Sequence, residues 1–290
     1  MRPEAPDIAV PPFPPGIAWV GGEPPAVERL TAIGPALVHF FDFAQLNSVR
    51  SLPYVLAWRD RYRPAGLTTI GVHSPRFPFT GSAEAVASGA ARLGISHPIA
   101  VDDGFRIWRD YGCDRWPSLF LWGQGGALAW FHFGEGEYAA TERAIQELVG
   151  AARPEAELPA PLEPLRPSDA PGALVVPPTG ELFPGGSASE PWRATPRQPS
   201  LEVAYEAGGA HATLDGEGEL KASLDGGEPA RLAIDAPGLY ELAEHPRHER
   251  HRLELRPSGG LRIWSVSFAA GVPRDPPARA RRQPERRAGR

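Results

Sequence analysis

The stretch Val38–Tyr54, VHFFDFAQLNSVRSLPY, decides how this 290-residue chain is read. Its apolar run, ending near Asp42, has the texture of a buried strand. A short loop follows, and a helical pattern opens near Ser48 with Pro53 inside it. A strand that passes through a tight loop into a helix presents the loop side chains to the helix N-terminus, where the backbone dipole favours an anion. The two side chains in those slots are an amide, Gln45, and an alcohol, Ser48.

Composition bounds what the rest can be. Hydrophobic residues make up 42% of the chain, ordinary for a globular protein, whereas 35 prolines and 32 glycines predict linkers and loose ends around compact parts. A net charge of −5 points to no polyanionic partner, so nucleic acid is not expected. Cys113 is the only cysteine, which excludes an intramolecular disulfide and a two-thiol redox cycle within one chain. The opening residues MRPEAPDIAVPPFPPG lack a basic region followed by an apolar stretch, and no later window reaches a membrane span. The expectation is a soluble cytoplasmic protein with no membrane partner and no cofactor.

Outward from the opening stretch, residues 1–22 are proline-rich and expected to wrap a surface, with Trp19 as a pin. Residues 23–150 alternate strand and helix patterns: a short helix at Val27–Ile33, a strand at Ala36–Phe41, a helix from Ser48 to Arg63 and a strand at Leu67–Val72. A helix capped by Ser82 runs to Leu93, a short strand covers Pro98–Val101, and Asp103 is placed to cap a helix at Phe105–Tyr111. A hairpin around Gly123 to Gly126 and a terminal helix through Val149 complete an α/β unit with a mixed sheet. Prolines 154, 159, 161, 164, 167 and 171 mark residues 151–172 as a semi-rigid, extended linker. Residues 173–272 carry short alternating runs with turns between them, as at Leu220, Ala222 and Leu224, which predicts an antiparallel β-sandwich. The run Leu261–Phe268 shifts phase between Ile263 and Trp264, the mark of a bulge. The tail at 273–290, with seven arginines from Arg274 on, is expected to be disordered.

Val38–Tyr54 resembles thioredoxin-fold proteins without a gap, with Pro53 five residues after Ser48, where that family kinks its helix. Trp116-Pro117-Ser118 resembles its cis-proline loop. LNSVRSLPYV, GLTTIGVHSPRFPF, IWRDYGCDRWPSLFL and FGEGEYAATERAIQEL are similar to the DipZ-type and related TlpA-like redoxins, and TGELFPGG, ASLDGGEPARLAID and HRLELRPSGGLRIWSVSF to the β-sandwich, akin to carbohydrate-binding modules, that follows them. The resemblance implies a thioredoxin-like fold followed by an antiparallel β-sandwich. It also implies that Gln45 and Ser48 stand where two redox cysteines would be, and His39 where a buried acid would accept a proton. Arg76 occupies a position that is acidic in relatives.

An amide and a serine hydroxyl lack a thiolate's nucleophilicity, so lost dithiol chemistry is expected. Phe43, Gln45, Ser48, Trp116 and Pro117 are the residues expected to line a groove for a peptide segment or partner protein, as thioredoxin folds dock extended peptides. An alternative is a one-cysteine thiol oxidoreductase or peroxidase acting through Cys113, with Arg109 and Arg115 near it in sequence. Another is carbohydrate binding on the sandwich through Trp192, Trp264 and Tyr240, although the alternation at Trp264 favours the core. His39 and Asp42 fall on opposite faces of a strand, which argues against a triad with Ser48. His245, His248 and His251 in HPRHERH lie between expected strands, where exposure is favoured over chelation, and no metal is expected. Asp102-Asp103 reads as a strand end and helix cap.

Overall fold

The computed structural model describes residues 1–4, 8–22 and 26–274, so almost all of the arginine-rich tail lies outside the described residues. Strand β2 (Ala36–Phe41) is the centre of the first sheet, and all six of its residues are buried. Burial on both faces is why ALVHFF shows no alternation. Val38 and Phe40 pack with Trp108, Tyr111 and Phe120 on one face, and Leu37 packs with Tyr54, Trp58 and Ile145 on the other. Each large apolar side chain buried this way contributes about 1.5–3 kcal/mol.

Beside β2 run β3 (Thr68–His73), parallel, and β5 (Ser118–Trp122), antiparallel. β4 (Ile99–Val101) lies parallel outside β3, β6 (Leu128–Phe133) antiparallel outside β5, and β1 (Ala18–Val20) pairs antiparallel with β4. The order is β1-β4-β3-β2-β5-β6. Helices α1 (Val27–Ile33), α2 (Leu46–Tyr62), α3 (Ala83–Arg92), α4 (Arg106–Asp110) and α5 (Tyr138–Ala152) flank this sheet.

Three local expectations are corrected. α2 starts at Leu46 rather than Ser48, because Gln45 serves as its cap. The carboxylate that caps the first turn of α4 belongs to Asp102 and not Asp103, with Phe105 at the N-cap position: buried Asp102 accepts from the backbone N–H groups of Ile107 and Trp108, both at 2.9 Å. The residues before Gly22 also hold a strand, β1. Its length of three residues within a proline-rich segment gives no periodic signal.

The second sheet comprises β7 (Leu201–Asp215), β8 (Gly218–Leu224), β9 (Ala230–Ile234), β10 (Gly238–Pro257) and β11 (Arg262–Ala269), in the antiparallel order β11-β7-β10-β8-β9. It forms the β-sandwich unit, whose core includes Leu201, Val203, Leu214, Leu253, Ile263 and Val266. β7 alternates buried and exposed up to Glu206 and is buried throughout from Ala207. Its second half packs its own core on one face and meets the first unit on the other, where Thr213 Oγ1 donates to Ala44 O at 2.8 Å. The pairing of β11 with β7 shifts register between Ile263 and Ser265, where the sequence changes phase. HPRHERH lies inside β10 at a second register shift, between Glu244 and Glu249, rather than between strands.

The proline-rich linker is docked rather than free. Leu165 N donates to Tyr54 Oη at 2.7 Å, Tyr54 Oη donates to Asp169 at 2.8 Å, and Arg166 donates to Arg50 O. Leu158 and Leu162 pack against the core shared by α2 and α5. The two units touch through Trp264, whose ring centroid lies 6.3 Å from Phe77 and 5.2 Å from Phe79.

Candidate functional site

The end of β2 and the start of α2 are built around one buried carboxylate. Asp42 accepts from Ala44 N at 2.7 Å, Arg76 N at 2.6 Å and Thr80 Oγ1 at 2.7 Å, which folds the loop back and ties it to the segment after β3. His73 Nε2 accepts from Phe43 N and lies 3.8 Å from Asp42 Oδ1. Burial alone would raise the Asp42 pKa, but His73 and the backbone donors outweigh it and hold the carboxyl below its ordinary range.

Gln45 and Ser48, the two side chains that the sequence singles out at the start of α2, are both engaged in this scaffold. Gln45 Oε1 accepts from Ser48 N at 2.7 Å, so the amide caps the helix and takes up an N–H that would otherwise face an anion. Ser48 Oγ accepts from Asp42 N at 3.2 Å, and the residue is 1% exposed. Neither side chain is a free nucleophile. Pro117 stands opposite the end of β2, because the register pairs Phe40 with Ser118. The Trp116–Pro117 peptide is cis, Trp116 Nε1 donates to Ser74 O at 2.8 Å, and Pro117 O accepts from Gly134 N at 2.7 Å.

Of the five residues expected to line a groove, the loop and strand order bring Gln45, Ser48, Trp116 and Pro117 to one end of the sheet, and only Gln45 and Trp116 are partly exposed. Phe43 is buried with α3 instead, so close that a Cβ on Gly89 would lie 2.5 Å from its ring. What opens at the start of α2 is a cleft of about 410 Å³ between the two units. Gln45, Asn47 and Glu135 line one wall, and Thr179, Gly180 and Phe268 line the other.

The remaining candidates separate. Cys113 is half-buried against the aromatic cluster of Trp108 and Trp116, and burial pushes its thiol well above the usual range, only partly offset by Ser118. His39 is fully buried with neither ring nitrogen bonded, and burial with a neighbouring His97 lowers its pKa to about 3. It is therefore neutral at ordinary pH. Trp192 (8% exposed) and Trp264 (4%) are buried, and Tyr240 lies beneath Arg92, its ring 5.2 Å from the guanidinium, so these aromatics form no open stacking platform. His245 and His251 stack at 4.0 Å while bonded to Tyr205 Oη and Asp225, and His248 faces Glu206. No metal-holding group of three or more His, Cys, Asp or Glu occurs among the described residues. No helix among them is long and apolar enough to cross a membrane.

Sequence reasoning missed Asp42 as the organiser of the loop and missed the partner of Arg76. The guanidinium of Arg76 pairs with Glu181, 105 residues later in the chain. The only signal for Asp42 was a lone acid ending an apolar run; for the Arg76 pair there was none.

No family model matches the chain. Protein DipZ of Mycobacterium tuberculosis is 30% identical over 267 residues, an alignment covering 80% of this chain and 38% of that protein. Four-fifths of the chain reaches beyond either unit alone, whereas this chain spans well under half of DipZ. NHL repeat-containing protein 2 of Homo sapiens is 32% identical over 132 residues, 45% of this chain and 18% of that one. Among solved structures, a thiol-disulfide isomerase from Corynebacterium glutamicum aligns at 21% identity with a TM-score of 0.42, covering 50% of this chain and 97% of that one.

Proposed function

We propose that this chain is a thioredoxin-like protein of the DipZ-type redoxin branch and serves as a binding or scaffolding module without dithiol exchange. Its ligand is a peptide segment or partner protein that meets the end of the first sheet beside Gln45, Ser48 and Pro117. One observation carries this reading: both side chains in the redox slots are committed to backbone hydrogen bonds, Gln45 to Ser48 N and Ser48 to Asp42 N. Thiol exchange needs a thiolate that attacks and a second sulfur that resolves the mixed disulfide, and this scaffold holds neither in place. The raised pKa of Cys113 counts against a single-thiol enzyme, since the thiolate is the reactive form. Burial of Trp192 and Trp264 counts against sugar stacking on the sandwich.

The test is turnover. Purified protein and its Cys113→Ser variant are assayed side by side for disulfide reduction and peroxide consumption, and both are expected to stay at background. Turnover that disappears in Cys113→Ser would overturn the reading. The complement is the double change Gln45→Cys and Ser48→Cys, where a gain of disulfide reduction over the natural protein shows that the frame is kept and only the chemistry is gone.

A further inference from the structure

Arg76 stands at the centre of a cradle that the chain itself fills. Its backbone is fixed by the bond from Arg76 N to Asp42. Its guanidinium lies 5.7 Å from the ring of Trp116, the residue before Pro117, and 5.9 Å from that of Phe77. Into this position comes a segment from the far side of the linker. Glu181 pairs with Arg76 Nη2, and the ring of Phe183 lies 5.7 Å from the same guanidinium.

Residues two apart on an extended chain share a face, so Glu181 and Phe183 point to Arg76 together while Leu182 points away and is 37% exposed. Leu182 exchanges two backbone hydrogen bonds with Val266 of β11, at 2.9 and 2.8 Å. Gly180 precedes this short contact and Pro184-Gly185-Gly186 follow it. Recognition in the cradle thus uses a charge-assisted hydrogen bond and a cation–π contact, both made by side chains spaced by one residue.

We propose that the Arg76 cradle is a recognition site for extended peptides with a carboxylate and an aromatic ring two residues apart, and that Glu181–Phe183 occupies it in cis. This rests on the peptide-binding reading above and gives it a ligand class. A tethered occupant competes at high effective concentration, so a peptide supplied in trans binds well only when the strap is weakened.

The test uses the full chain, a labelled heptapeptide of sequence PTGELFP (residues 178–184) and fluorescence anisotropy. The variant Glu181→Gln with Phe183→Ala empties the cradle, and circular dichroism checks that it is folded. This variant is expected to bind the peptide at least about tenfold more tightly than the natural protein. Replacing the peptide's glutamate by glutamine is expected to weaken that binding about three- to tenfold, and Arg76→Leu in the same background to weaken it to the same degree. If the double variant does not fold, Glu181→Gln alone, which keeps the side chain's shape, serves for the comparison with natural protein. Equal affinity in filled and emptied proteins, equal affinity for the two peptides, or no binding at all would overturn the proposal. Thiol turnover, measured separately, would sink the reading of a redox-inactive module and leave the peptide result standing by itself.

Discussion

At the scale of single residues, buried histidines set how stability depends on pH. Burial and the neighbouring His97 lower the pKa of His39 to about 3. Burial with Arg59 nearby lowers that of His97 to about 4. An unfolded histidine titrates near 6.5, so below that pH the unfolded chain binds more protons than the folded one, and stability falls as the pH drops. The loss runs from about pH 6.5 down to the folded pKa values, at roughly 1 kcal/mol per pH unit for each histidine. Urea unfolding of the natural protein at pH 7 and pH 5 is expected to show the drop, and His39→Leu to make the slope shallower. A slope unchanged in His39→Leu would show that His39 takes no part. Asp42 works in the same direction at lower pH: its lowered pKa adds stability above the ordinary carboxylate pKa, and that share is lost as the pH falls through the folded value.

At the scale of elements, what could be read from the sequence followed from periodicity, and what could not followed from contacts between distant segments. β2 and α2 were legible because ALVHFF is an apolar run and LNSVRSLPY carries helical spacing around a proline. Gln45 and Ser48 were singled out by resemblance, but their engagement as cap and acceptor was not legible, because it depends on loop geometry. α4 shows how close two readings lie: adjacent acids, Asp102 and Asp103, are equal candidates for a cap, and the structure selects the one buried at the end of β4. Asp102 also accepts from Ser74 Oγ at 3.0 Å. Asp102→Ala therefore leaves three donors without this acceptor and is expected to cost about 1–3 kcal/mol, read as a lower urea midpoint. The same change at the exposed Asp103 is expected to fall within about 0.5 kcal/mol of the natural protein. Equal losses at the two positions would refute the assignment of the cap.

At the scale of the molecule, the question left open by a proline-rich connector was whether the two units dock. Proline spacing reports stiffness and says nothing of contact, which is why residues 151–172 read as a spacer although they lie along α2 and α5. Contact continues past the linker. Trp264 of β11 fills the space beside Phe77 and Phe79, Thr213 bonds to Ala44 O in the loop before α2, and Arg92 at the end of α3 donates to Leu239 O. The second sheet thus lies against the loop before α2, the end of α3 and the Phe77–Phe79 segment, and unfolding of either unit would expose apolar surface of the other. Shared burial of that kind couples two units into one cooperative transition. Trp264→Ala removes the largest side chain at the contact and is expected to destabilise it by about 3–5 kcal/mol. Calorimetry should then show the natural protein melting in one transition and the variant in two, the lower one carrying only part of the enthalpy. A single transition, merely shifted downward, would mean that the remaining contacts suffice to keep the units coupled and that Trp264 acts as an ordinary core residue.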